Sequence, residues 1–377
     1  MRIIDRYMLR QFLHVYFICF VSLTGLFVVI DSFGNLDEFI EFSEGKGNLI
    51  GVMAPYYAVR CLSFFDRISG ILALISAMFT IAWIQRHQEL TALLAAGIPT
   101  FRVIAPVVFA AASVSALAVA NREFMLPHVR EDLSRNAQDL SGEMARDMQP
   151  RYDNASEILL RGSKMYAADQ RINQPNFMLP PELGKFGSTL VAADAFFTPA
   201  DGDRPAGYRL QGVTEPKELL AAPSLALEGR PIVLTPADHP WLNPKELFVV
   251  SDVSFDMLAS GSGWYQYAST LELIRGLNSA NLDVGADARV AVHARLVQPA
   301  LDITLLFLGL PLVLSKNNRN VFKAIGLCVV VAVTFMLVVL GCQSLGTNYL
   351  VSPAKSAWLP LMIFVPVAML MSEPLRE

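Results

Sequence analysis

"QRHQELTALLAAGIPTFR", residues 85–102, lies between two stretches apolar enough to cross a membrane. It opens with Arg86, His87 and Glu89, runs through Leu90, Leu93, Leu94, Ala95 and Ala96, and breaks at Gly97, Ile98 and Pro99. A few polar residues would turn the chain between two spans, so a half-apolar, capped segment reads as an element in its own right. Leu90, Leu93, Leu94 and Gly97 recur at helical spacing, and Glu89 stands near the N-terminus, where its charge suits the helix dipole. Gly97 can take the left-handed cap, and Pro99 can start the next helix. Two readings stay open on these residues. One is a turn whose leucines rest on the bilayer surface. The other is a coupling helix whose i, i+3, i+4 anchors enter another protein's groove.

Outward from this segment, six stretches approach the roughly 20 apolar residues that a membrane helix needs. They are 12–30, 68–84, 103–120, 296–314, 324–343 and 357–371. The second is short and borrows Leu62 to Phe65, which brings Asp66 and Arg67 close to the interface. The sixth contains Pro360 and Pro366, which packed neighbours tolerate in a membrane helix. Arg2, Arg6 and Arg10 precede the first run as they would in a signal peptide, but that run is long and no small-x-small site follows it. It reads as a retained span. The short loops rich in Lys and Arg are the N-terminus, 85–102, 315–323 and the tail, which puts both termini and the opening segment in the cytoplasm.

The composition agrees with a lipid environment: 53% of the 377 residues are hydrophobic and 17% charged, against roughly 25% charged in a soluble domain. Residues 122–293 are different. They hold 23 of the 34 acidic residues, 16 of the 30 basic ones and 13 of the 22 prolines. They read as one soluble domain outside the cytoplasm, between residues 1–121 and 294–377, which carry three spans each. Its excess of acid excludes nucleic acid as a partner. After Asn121 a polar helix is expected to continue through Leu133, Ala137, Leu140 and Met144. From 157 to about 256, "EILLRGSKMYAA", "STLVAADAFFTP", "GYRLQG", "RPIVLTP" and "ELFVVSDVSFDM" are short apolar or alternating runs between turn residues. The expected fold is an α-helical membrane protein with six transmembrane helices (3+3) and an inserted all-β, jelly-roll-like domain at about 150–260. "STLELIRGL" (269–277) and "ADARVAVHARL" then read as helices leading into span four.

Catalytic signatures are sparse. There is no G-x-x-x-x-G-K-[ST] and no H-E-x-x-H, and the five histidines are scattered. Cys19, Cys61, Cys328 and Cys342 show no zinc-ligand spacing. No catalytic residue, metal site or cofactor is expected, and any nucleotide must be hydrolysed by another chain. Asp302 is the one charge inside the apolar "RLVQPALDITLLFLGLPLVL" (295–314). An intramembrane carboxylate marks a functional or paired site. Its bland reading is a capping or pairing role with Arg295 after Pro299 interrupts the helix; its sharper one is a proton relay.

"DRYMLRQFL" (5–13), "QELTALLAAGI" (88–98) and the Arg295, Pro299 and Pro311 pattern of 295–314 together resemble the lipopolysaccharide export permeases, the LptF/LptG (YjgP/YjgQ) family. The resemblance covers essentially the whole chain through its order and spacing, and "DRY" leans towards the LptG type. It implies a non-catalytic subunit of an ABC-type exporter in the bacterial inner membrane. Its partners would be a paralogous permease in a heterodimer, a cytoplasmic ATPase dimer, a periplasmic bridge protein and lipopolysaccharide or a related lipid. Under the resemblance 85–98 is the coupling helix, with Arg86, Glu89, Leu90, Leu93, Leu94 and Gly97 as ATPase-coupling residues and Glu89 as the ATPase-facing acid. Spans one (12–34) and five (321–344) become lateral-gate elements, with Phe27, Val28, Asp31, Val331 and Phe335 at the gate or lipid cavity. One departure concerns the head group: LptG sequences carry a basic residue in the outer half of span one, where "GLFVVIDSF" has Val28, Val29 and Asp31. A cationic contact would then come from Arg60 or Arg67, or the lipid is less phosphorylated. The alternative from another class is a mechanotransmitter or assembly scaffold that moves no lipid.

Overall fold

The computed structural model describes residues 3–44, 48–134, 137–139, 145–202, 204–227, 229–259, 264–278, 285–314 and 321–372. The chain divides into two compact units, Met1–Asp132 with Gly285–Glu377, and Leu133–Val284.

In the first unit, six of the described helices are long and apolar enough to cross a membrane. Spans one to six are Ile3–Gly34, Leu49–Arg86, Thr100–Ala120, Ala286–Leu314, Val321–Thr347 and Pro353–Met371. Continuous helix is what an apolar solvent demands, because each backbone N–H and C=O must then be satisfied within its own segment. Span two is much longer than the sequence suggests. It starts at Leu49, where the Asn48 side chain caps it by accepting from the Ile50 N–H at 3.2 Å. Pro55 lies inside it at the cost of one backbone bond. A separate helix, Leu36–Glu44, lies between spans one and two and buries Phe39 against Tyr56 and Tyr57. Pro299 does not interrupt span four, which runs unbroken through both Pro299 and Pro311.

Span four is the hub of the packing. It contacts spans two, three, five and six, whereas span one packs on spans two and three, and span five mainly on four and six. Ala77, Met78, Val107, Leu305 and Leu310 lie at the centre of the apolar core. Past Ala120 the backbone widens into a π-helical turn, Asn121–Met125, then gives short helical pieces at Leu126–His128 and Arg130–Ser134. Among the described residues the expected polar helix is present as these short pieces, the second of which holds Leu133. A 3-10 turn holds Ala137, the first strand starts at Arg146, and Leu140 and Met144 lie outside the described residues.

In the second unit, eleven antiparallel strands among the described residues form one sheet. They are β1 Arg146–Asp147, β2 Arg151–Asp153, β3 Ile158–Leu160, β4 Lys164–Tyr166, β5 Arg171–Asn173, β6 Asn176–Met178, β7 Thr189–Thr198, β8 Gly207–Glu215, β9 Leu225–Leu227, β10 Arg230–Leu234 and β11 Glu246–Val250. The main order is β1-β4-β5-β7-β8-β11-β10-β9, with β2-β3-β6 joining on β7. Its core includes Ile158, Leu160, Ile172, Phe177, Leu210 and Leu247, all fully buried. Tyr208 is buried too and donates to the Val253 carbonyl at 2.9 Å. The helix Thr270–Asn278 opens on a capping box. Ser269 Oγ accepts from the Glu272 N–H, and the Glu272 carboxylate accepts from the Ser269 N–H.

Candidate functional site

Residues 85–99 form a tight corner between spans two and three. Span two ends at Arg86, Gln88 takes a left-handed backbone (φ 60), and a seven-residue helix runs from Glu89 to Ala95. Gly97 stands at φ +79. Its N–H bonds Leu94 O at 2.9 Å, and the Ile98 N–H bonds Leu93 O at 3.1 Å. These two bonds make a Schellman motif, which a glycine at that position permits without steric cost. Leu90 is buried in the membrane core, and Leu93 and Ile98 pack against it. Of the predicted anchors, Leu90 and Leu93 therefore fasten the helix to its own chain, while Leu94 is exposed beside Arg86, Thr91, Ala92 and Ala95. Glu89 is half-buried and accepts a hydrogen bond at Oε2 from the Tyr7 hydroxyl of span one, 3.0 Å away. Met8, the next residue along span one, and Phe12, one turn beyond Met8, are buried in the same cluster as Leu90.

The other end of span one is joined to span two. Phe27 stacks on Phe64 with ring centroids 4.9 Å apart, and Asp31 accepts from the Tyr57 hydroxyl at 2.9 Å. Val28 is half-buried beside them. Arg60 lies over the Tyr56 ring, 3.5 Å from its centroid. On span five, Val331 is half-buried, and Phe335 is placed in the core, 4.6 Å from Phe364 of span six. The exposed apolar surface of span five is carried by Val330, Val333, Leu337 and Leu340.

Asp302 sits where spans two, three and four meet. Ser115 Oγ donates to its Oδ2 at 2.5 Å, and Gln298 Nε2 to its Oδ1 at 2.9 Å. These are its partners, in place of the expected Arg295. Gly70 of span two faces the carboxylate so closely that an added Cβ would collide with it. A small cleft lined by Ala73, Leu74, Ala111 and Ile303 opens beside the group. Beyond it, Arg122 pairs with Asp66 through Nε at 2.9 Å, and Asn121 donates to the Leu62 carbonyl at 3.0 Å. Both residues begin the π turn, so the widened backbone aims two successive side chains back at span two. Among the described residues, no group of three or more His, Cys, Asp or Glu side chains could hold a metal.

Sequence reasoning missed Tyr7, Tyr57, Ser115 and Gly70. Gln298 carries a readable signal, because it stands one helical turn before Asp302 on the same face. The others act across helices and leave no local mark. No curated protein matches the chain. Residues 6–153 and 213–373 match the family described as the lipopolysaccharide export system permease LptF/LptG, a match that takes in all six spans and the whole corner at 85–99.

Proposed function

We propose that this chain, which belongs to the lipopolysaccharide export permease LptF/LptG family, is the non-catalytic permease subunit that receives force at residues 85–98 from a cytoplasmic ABC-type ATPase. The family is a permease rather than an enzyme, and its substrate is lipopolysaccharide. Both termini and the 85–98 corner lie in the cytoplasm in this reading, and the β unit lies in the periplasm. A paralogous permease completes a heterodimer, and the exported lipid, lipopolysaccharide or a related glycolipid, leaves the inner membrane through the space between the two subunits towards a periplasmic bridge protein.

One observation carries the reading. The seven-residue helix Glu89–Ala95 is pinned from below by Leu90 and Leu93 and capped at Gly97, yet shows outward a shallow face of Arg86, Thr91, Ala92, Leu94 and Ala95. A helix fixed to its own core and smooth on its free side suits force transfer from a docked partner better than it suits a mere turn. The packing order supports the gate assignment as well. Spans one and five flank the bundle, each leaving a continuous apolar face that a second permease or lipid acyl chains would cover. Phe27, Val28 and Asp31 stand on the first of these helices and Val331 on the second.

The test is Glu89→Lys in the complex purified with its native partners. Lipid export should be abolished while membrane insertion and yield stay at wild-type level. Undiminished export from that variant would remove the coupling role.

A further inference from the structure

Among the described residues of span one, only Met8 and Phe12 are buried. The helix packs on spans two and three, with Phe20 edge-on to Phe65 midway along, and the hydrogen bonds of Tyr7 and Asp31 tie its two ends. At the Asp31 end the grip is Phe27 on Phe64 and the Tyr57 hydroxyl on Asp31. At the other end it is Met8, Phe12 and the Tyr7–Glu89 hydrogen bond. Between Tyr7 and Asp31 there is no proline, so about 36 Å of unbroken helix joins the two grips.

We infer that Tyr7 is a positioning residue for the coupling acid, and that its hydroxyl ties residues 85–98 directly to span one. Donation to Glu89 Oε2 fixes the carboxylate in one orientation and leaves Oε1 without a hydrogen bond among the described residues. That oxygen is available to a cationic donor on the docked ATPase. A push on the corner then reaches span one through Tyr7 and Met8 as well as span two through Arg86. The gate helix is driven at its base, without relying on spans two and three to drag it. This inference rests on reading 85–98 as the coupling segment.

The experiment uses the whole complex in vesicles and follows ATP hydrolysis and lipid export together. Tyr7→Phe keeps the ring and removes only the hydroxyl. It should lower the lipid exported per ATP about fivefold, the scale of one ordinary lost hydrogen bond, with complex yield and hydrolysis retained. On a Glu89→Ala background, Tyr7→Phe should have no further effect, because its acceptor is already gone. Equal losses of yield, hydrolysis and export in Tyr7→Phe would mean a purely structural tyrosine and overturn the inference. So would wild-type coupling in Tyr7→Phe alongside a damaged Glu89→Ala, an outcome that leaves the coupling role of 85–98 standing. Undisturbed export in Glu89→Ala itself would remove that role and the inference with it.

Discussion

Asp302 illustrates how a carboxylate is made tolerable inside a bundle of apolar helices. Taking such a group from water is costly unless each oxygen is bonded, and here Ser115 and Gln298 supply one donor each. The pocket also requires the missing side chain at Gly70. Gly70→Ala should therefore push spans two and four apart and destabilise the protein by roughly 1–3 kcal/mol, as overpacking does. The measurement is a thermal melt in detergent. Asp302→Asn can keep both partners and should melt near the wild-type temperature, while Asp302→Leu strands Ser115 and Gln298 and should melt several degrees lower. A leucine variant more stable than the asparagine one would refute this account of the carboxylate.

At the scale of the element, the corner between spans two and three depends on one backbone conformation. An added methyl at Gly97 meets open space, so Gly97→Ala tests the φ of +79 alone. The left-handed conformation costs a non-glycine residue about 1 kcal/mol. We expect Gly97→Ala to lower the stability of the purified protein by about that amount, with Gly97→Asn milder because asparagine accepts this region more readily. This corner is legible in the sequence because its signals are local: a glycine for the cap, a proline before the next helix, leucines one turn apart. The start of span two is not, since Gly51 and Pro55 carry the ordinary marks of a loop and are overridden by the Asn48 cap and by packing of Phe39 on Tyr56 and Tyr57. The Tyr7–Glu89 contact is also silent, joining positions 82 residues apart. Alternation revealed the longer strands β7 and β8, whereas β1, β2, β5, β6 and β9 have two or three residues each, too few for a period to show.

For the whole molecule, the division into two units has a direct consequence. The second contains no cysteine, so its fold rests on packing and hydrogen bonds. Expressed alone, Leu133–Val284 should give a cooperative β-type melt that is the same with or without reductant. Its acid sensitivity can be assigned to particular groups. The Ser224 backbone N–H holds the Asp238 carboxyl below its usual 3.8, and the Lys164 ammonium does the same for Asp147. A carboxylate whose folded pKa is depressed contributes stability that is present above the unfolded value and lost as pH falls through the folded one. The melting temperature should accordingly fall below about pH 4, and Asp238→Asn should flatten that fall; an unchanged acid slope in this variant would refute the assignment.

The widened turn at Asn121–Met125 has a further bearing on how this chain tolerates change. A π turn is an α-helix that has absorbed one surplus residue, so excising a single residue there would restore ordinary winding. The helical pieces that follow, Leu126–His128 and Arg130–Ser134, would then be rotated by about 100° about the helix axis relative to span three. Insertions and deletions at this joint are thus a matter of angular phase, and the segment's length should be far less negotiable than its side chains.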